Sequence, residues 1–124
     1  NVIRQVSNSL ELTTNPVYLR LLVDNLLKNA SIYGKTQMII SLKESSDHIE
    51  LVVEDDGDGI PIESFDTIFM PFSRLDVSRS RKTGGLGLGL AISKAACNRM
   101  NSELSVENSL KGGARFICRF LNST

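Results

Sequence analysis

The longest regular pattern in the chain starts at Asn15. Leu19, Leu22, Val23, Leu26, Leu27 and Ala30 recur at i, i+3, i+4, i+7, i+8 and i+11, the stripe of one buried helix face. Asn15-Pro16 supplies the start: a capping side chain, then a proline whose missing N–H would find no partner in a first turn anyway. Two alternating runs follow. Met38, Ile40 and Leu42 within 37–44, and Ile49, Leu51 and Val53 within 49–55, each place apolar side chains on one face of a strand. Ser45-Ser46-Asp47 between them predicts a hairpin turn. A second long helix is expected over 86–100, with Leu90, Ala91, Ala95 and Ala96 inward and Lys94, Asn98 and Arg99 outward. Leu104-Ser105-Val106 and 114–121, where Phe116, Cys118 and Phe120 alternate with Arg115, Ile117 and Arg119, predict another hairpin joined by 108–113. The looser alternation of 2–13 suggests one or two short strands near a sheet edge, and 61–68 a short helix.

Composition narrows the class without naming an activity. A chain of 124 residues is the size of one domain, and at this length roughly two-thirds of the unfolded surface can be buried. Lys and Arg together number 14 and so do Asp and Glu, which argues against a nucleic-acid or membrane surface held by overall charge. Cys97 and Cys118 fit small core thiols in a reducing compartment better than a disulfide framework. No run approaches the roughly 20 apolar residues that a membrane span needs. The expectation is a cytoplasmic domain with no membrane contact of its own, whether or not its parent protein is anchored in the inner membrane.

Candidate chemistry lies where the periodic segments break. Gly84, Gly85, Gly87 and Gly89 run straight into the second helix, and a glycine loop that opens a helix points unpaired N–H groups at an anion, most often a phosphate. Asn25 and Asn29, one helical turn apart, project from one side of the first helix at the rim of its apolar stripe. Asparagine is a mediocre helix former, so two in a helix interior suggest amide oxygens for a hard cation such as magnesium, or hydrogen bonds for a polyanion. Glu54-Asp55-Asp56-Gly57-Asp58-Gly59 ends the second strand. It lacks the glutamate that closes a calcium-binding EF-hand loop, and suits a pocket in which Asp55 accepts a hydrogen bond from a base's amino group while Gly57 and Gly59 let the ligand approach. Residues 73–83 are polar and basic, with Arg74, Arg79, Arg81 and Lys82; they read as a mobile lid whose cations reach phosphates. Gly34-Lys35-Thr36 has the tail of a P-loop, but Asn29 stands where the upstream glycine is required. His48, the one histidine, is expected to be exposed and inert at a turn exit.

Taken in order and spacing, Asn25 to Ala30, Asp55 to Gly59, Phe69 to Phe72, Gly85 to Gly89 and Gly112-Gly113 resemble the catalytic ATP-binding domain of sensor histidine kinases. That domain is a branch of the GHKL superfamily, and the resemblance covers about 15–121. It implies an α/β two-layer sandwich, a mixed sheet covered on one face by about three helices, with ATP held between the helices and the lid. It implies that Asn29 binds magnesium, that Asn25 lines the phosphate region, and that Asp55 holds the adenine amino group in a pocket shaped by Gly57 and Gly59. Phe69 and Phe72 would form the aromatic box at the lid hinge. Gly85, Gly87 and Gly89 would end the lid and start the phosphate-binding helix, with Tyr33, Ile60, Leu86 and Leu88 lining the nucleotide and Arg79, Arg81 and Lys82 reaching it.

Two positions depart from the pattern. Ser31 and Ile32 stand where many relatives place a phosphate-binding cation, and Leu86 replaces a threonine or serine. The implied cofactors are ATP and Mg2+. The implied role is the donor half of phosphoryl transfer, to a histidine on a separate helical dimerisation domain of the same kinase and onward to a response regulator. One rival is a hydrolytic ATPase of the same superfamily, which would carry a glutamate base where Asn25 stands. The other is a catalytically inactive nucleotide-binding module.

Overall fold

The computed structural model describes residues 2–6, 15–33, 37–45, 47–70, 89–110 and 112–121, with backbone alone at 2–6, 31–33 and 121. Its elements are β1 (Val2–Val6), α1 (Pro16–Tyr33), β2 (Met38–Glu44), β3 (His48–Asp55), a 3-10 turn (Ile62–Ser64), α2 (Gly89–Arg99), β4 (Ser102–Asn108) and β5 (Ala114–Leu121). The strands form one five-stranded sheet in the order β1-β2-β3-β5-β4. β1 pairs with β2 in parallel and every other pair is antiparallel, so the sheet is mixed and β1 is an edge, as the alternation of its sequence suggests.

Register explains why the core forms where it does. Ile40, Val53, Phe116 and Val106 stand side by side across β2, β3, β5 and β4, and Leu42, Leu51, Cys118 and Leu104 make the next row. Each strand's alternation thus adds to one apolar sheet face. Leu22, Leu26 and Ala30 of α1, and Leu90, Ala96 and Cys97 of α2, complete a single core against that face. β3 is central enough that Leu51, Val52 and Val53 are buried in succession. The result is the expected α/β sandwich; its helical layer, among the described residues, has two α-helices and one 3-10 turn.

Local chemistry sets the helix ends. The Val17 N–H donates to Asn15 Oδ1 at 2.9 Å and the Leu19 N–H to the Asn15 carbonyl at 3.0 Å, which makes Asn15 the N-cap that its sequence implies. α2 stops before Asn101, which takes a left-handed φ of 52° that asparagine tolerates better than most residues.

The buried stripe of α2 differs from the expected one. It runs through Leu90, Ser93, Ala96 and Cys97 to Met100, while Ala95 is exposed. Ser93 can be buried because its hydroxyl donates to the Gly89 carbonyl at 3.0 Å, so alanine spacing alone misplaces the helix face. The short helix expected over 61–68 is only the 3-10 turn followed by further turns. Cys97 and Cys118 are buried free thiols with Sγ atoms 3.1 Å apart. Their contact, reinforced by burial, pushes the Cys118 thiol above the ordinary range.

His48 is also not what its sequence neighbourhood suggests. It is the half-buried first residue of β3, with Nδ1 2.7 Å from Asp47 Oδ1 and Nε2 3.1 Å from Glu50 Oε1. The hydrogen bond to Asp47 holds its pKa above the usual histidine value, and lowers that of Asp47 in turn.

Candidate functional site

β3 carries the chain out of the sheet at Asp55, which is buried at 4% exposure although it is a carboxylate. Burial of such a group requires donors. Two main-chain N–H groups supply them at the same oxygen: Gly57 donates to Asp55 Oδ1 at 2.9 Å and Ala114 at 3.2 Å. No bond from a described residue falls on the second oxygen. The carboxylate is therefore oriented by the backbone, with one oxygen pinned and the other left for a donor from outside.

The β4–β5 hairpin makes the opposite wall and comes very close. A Cβ on Gly113 would collide with the Asp55 main-chain oxygen, so only glycine fits there. Gly59 has φ +78°, and a Cβ on it would lie 2.7 Å from the Gly112 carbonyl oxygen and 2.8 Å from Asn108 Oδ1. Ile60, buried at the end of this loop, donates its N–H to Asn108 Oδ1 at 2.8 Å and accepts from Asn108 Nδ2 at 2.9 Å. Ser109 Oγ donates to Glu54 Oε1 at 2.8 Å. Asn108 and Ser109 are site-building residues that the sequence reading treats as part of a hairpin connection. The available signal is an asparagine followed by a Gly-Gly pair, which marks a place where another backbone approaches closely.

The helical side is built differently. Asn25 donates through Nδ2 to the Leu21 carbonyl at 2.8 Å, which leaves its Oδ1 facing the start of α2, 3.6 Å from where a Gly89 Cβ would stand. Asn29, one turn on, has a buried Nδ2 with no hydrogen-bond partner. A buried amide without a partner is uncommon and costs stability. With nitrogen and oxygen of a carboxamide exchangeable by rotation, it is a polar group ready for a ligand. Phe69 packs edge-on against Phe116, with ring centroids 6.1 Å apart and planes at 73°, and so ties the segment after the 3-10 turn to the sheet row that holds Val53.

The structure thus brings Asp55, Gly57, Gly59 and Ile60 together against the β4–β5 hairpin and sets Asn25 beside Gly89, while α1 packs on both β3 and α2. Phe72, Arg79, Arg81, Lys82, Gly85, Leu86, Gly87 and Leu88, together with the expected lid, lie outside the described residues, as does the side chain of Tyr33.

This geometry has counterparts. Residues 14–124 match the family described as histidine kinase-, DNA gyrase B- and HSP90-like ATPases. The chain belongs to this family. Among curated relatives of this ATPase-family domain, the sensor protein RstB of Escherichia coli K12 is 48% identical over 94 residues, covering 76% of the chain and 22% of RstB. The sensor histidine kinase CpxA of the same strain is 37% identical over 103 residues, covering 83% of the chain and 22% of CpxA. The domain therefore spans about a fifth of the length of each. The crystal structure of the ATP binding domain of PrrB from Mycobacterium tuberculosis superposes with a TM-score of 0.74 at 26% identity, covering 99% of this chain and 82% of that one.

Proposed function

We propose that this ATPase-family domain is the ATP-binding catalytic domain of a sensor histidine kinase, the donor half of a two-component phosphoryl transfer. The observation that carries the reading is Asp55: a buried carboxylate with one oxygen held by two backbone N–H groups and no described donor on the other. Such a group accepts from an amino group on a flat base, and the absent side chain of Gly113 keeps the wall close to the backbone. Asn29 supports the other end, since a carboxamide whose buried nitrogen has no partner suits, in one orientation or the other, an oxygen ligand for Mg2+ or a hydrogen bond to phosphate. Bound Mg2+ would neutralise phosphate charge as transfer proceeds.

The chain's own residues bind and orient. Asp55 fixes the base, the loop to Ile60 closes its edge, and Asn25 faces the start of α2, where helix N–H groups favour anions, with Asn29 one turn further along α1. The phosphoryl group would pass to a histidine nitrogen on the dimerisation domain of the same kinase, with ADP leaving, and then to a response regulator. Asn25 in place of an acidic base disfavours water activation, which favours transfer over hydrolysis. No helix among the described residues is long and apolar enough to cross a membrane, and we place the domain on the cytoplasmic side, with no nucleic-acid partner.

Calorimetry of the chain with ATP and MgCl2, alongside Asp55→Asn, tests the reading. Asparagine can still accept both backbone N–H bonds but presents an NH2 to the base. The expected result is a loss of ATP affinity of about tenfold or more with melting nearly unchanged. Equal affinity in both proteins would sink it.

A further inference from the structure

Asn108 is the one described side chain that joins the loop after Asp55 to the opposite hairpin by bonding both main-chain groups of a single residue. Its Oδ1 accepts from the Ile60 N–H at 2.8 Å and its Nδ2 donates to the Ile60 carbonyl at 2.9 Å, across 48 residues of sequence. The Ile60 side chain is buried at 2% exposure, so its main-chain groups sit at the core's edge and need partners. The same amide oxygen lies 2.8 Å from where a Gly59 Cβ would be, so the carboxamide rests on the left-handed turn of the loop.

We infer that Asn108 is a positioning residue for base recognition: it clamps 57–60 against the hairpin and thereby sets the edge of the pocket that Asp55 reads. The hairpin does not need this amide to close. Ser109 and Gly113 bond through N–H and carbonyl at 2.7 Å, Gly112 and Ser109 at 2.9 Å, and the β4–β5 ladder runs from Ser102↔Phe120 to Asn108↔Ala114. What Asn108 adds is the tie between the loop that follows Asp55 and the hairpin whose Gly113 packs on the Asp55 main chain. The inference rests on the nucleotide reading above and concerns selectivity within it.

The test is the affinity of the wild-type chain and Asn108→Ala for ATP and for GTP, each with MgCl2, by competition against a fluorescent ATP analogue, with melting temperatures in parallel. GTP carries a carbonyl where ATP carries the amino group, so its binding depends on the triphosphate and hardly on the Asp55 wall. Asn108→Ala is expected to weaken ATP roughly tenfold and GTP less than about twofold, so that the preference for ATP shrinks. Asn108→Asp keeps the acceptor for the Ile60 N–H but sets a charged oxygen against the Ile60 carbonyl; it serves as the second variant, with a loss of ATP preference at least as large as alanine's expected. Equal weakening of both nucleotides, or an unchanged preference in both variants, overturns the assignment and leaves the nucleotide reading standing. A wild-type chain that binds neither nucleotide, or does not distinguish them, overturns the reading and the assignment together.

Discussion

The two ends of the site are finished to different degrees. At the Asp55 end only the second carboxylate oxygen is left open among the described contacts; the rest are made within the protein, backbone to carboxylate, carboxamide to backbone and serine to Glu54, with glycines where side chains would collide. On the helical side Asn29 keeps a buried nitrogen with no partner, and a Cβ on Gly89 would meet, among the described residues, only ordinary contact with Asn25 Oδ1. On the proposed nucleotide reading, the first end would take a fixed planar group and gain from rigidity, whereas the second would take a charged and variable one, with polar groups left to the ligand.

This contrast is open to attack by substitution. The largest effect is expected from Gly113→Ala, whose methyl would occupy the space of the Asp55 main chain; a loss of about 3 kcal/mol in urea denaturation is expected. Among the described residues Gly89→Ala meets only Asn25 Oδ1, at 3.6 Å, and it should change stability by less than about 0.5 kcal/mol. If both variants cost the same, the two ends do not differ as described.

Removing the polar groups themselves comes next. Asp55→Ala strands the N–H groups of Gly57 and Ala114 and should destabilise by about 2 kcal/mol or more, besides losing ATP. Asn29→Ala removes a buried nitrogen with no hydrogen bond, so its melting temperature should hold or rise while Mg2+-dependent ATP affinity falls. Destabilisation by Asn29→Ala comparable to that of Asp55→Ala would show that Asn29 is a structural amide.

The smallest effect lies far from both ends. His48 has its pKa raised above 6.5 by the hydrogen bond to Asp47, with a further contribution from Glu50. Its contribution to stability is therefore complete below about pH 6.5 and disappears as pH rises through the folded-state value. Asp47 is lowered from 3.8, so its share holds above that value and is lost as pH falls through its folded-state pKa. Melting temperatures of His48→Gln should show a flatter pH dependence between pH 6 and 8 than wild type, with nucleotide binding unaffected at either pH.

Much of the candidate site was legible in sequence because its parts are local. Asp55 closes a strand, Gly57 and Gly59 follow within one turn, and Asn25 and Asn29 share a helix side, so each box can be read over a handful of residues. The clasp of Asn108 on Ile60 was not legible, because no periodicity links residues 48 positions apart. The buried face of α2 was misplaced for a related reason. Ser93 looks polar in sequence, and only the carbonyl one turn back makes it fit for the interior.

The order of residues determined on its own the cap at Asn15, the stripe of α1, the alternation of four strands and the family to which the chain belongs. Those features arise from interactions within a few residues, where side-chain type and spacing suffice. Tertiary structure decided the row that aligns Val53 with Phe116, the collision that reserves Gly113 for glycine, the bonds that orient Asp55 and the amide left unpaired at Asn29. Each of these depends on which distant backbone comes within hydrogen-bonding or van der Waals distance, and that is settled only when the sheet and its helices pack.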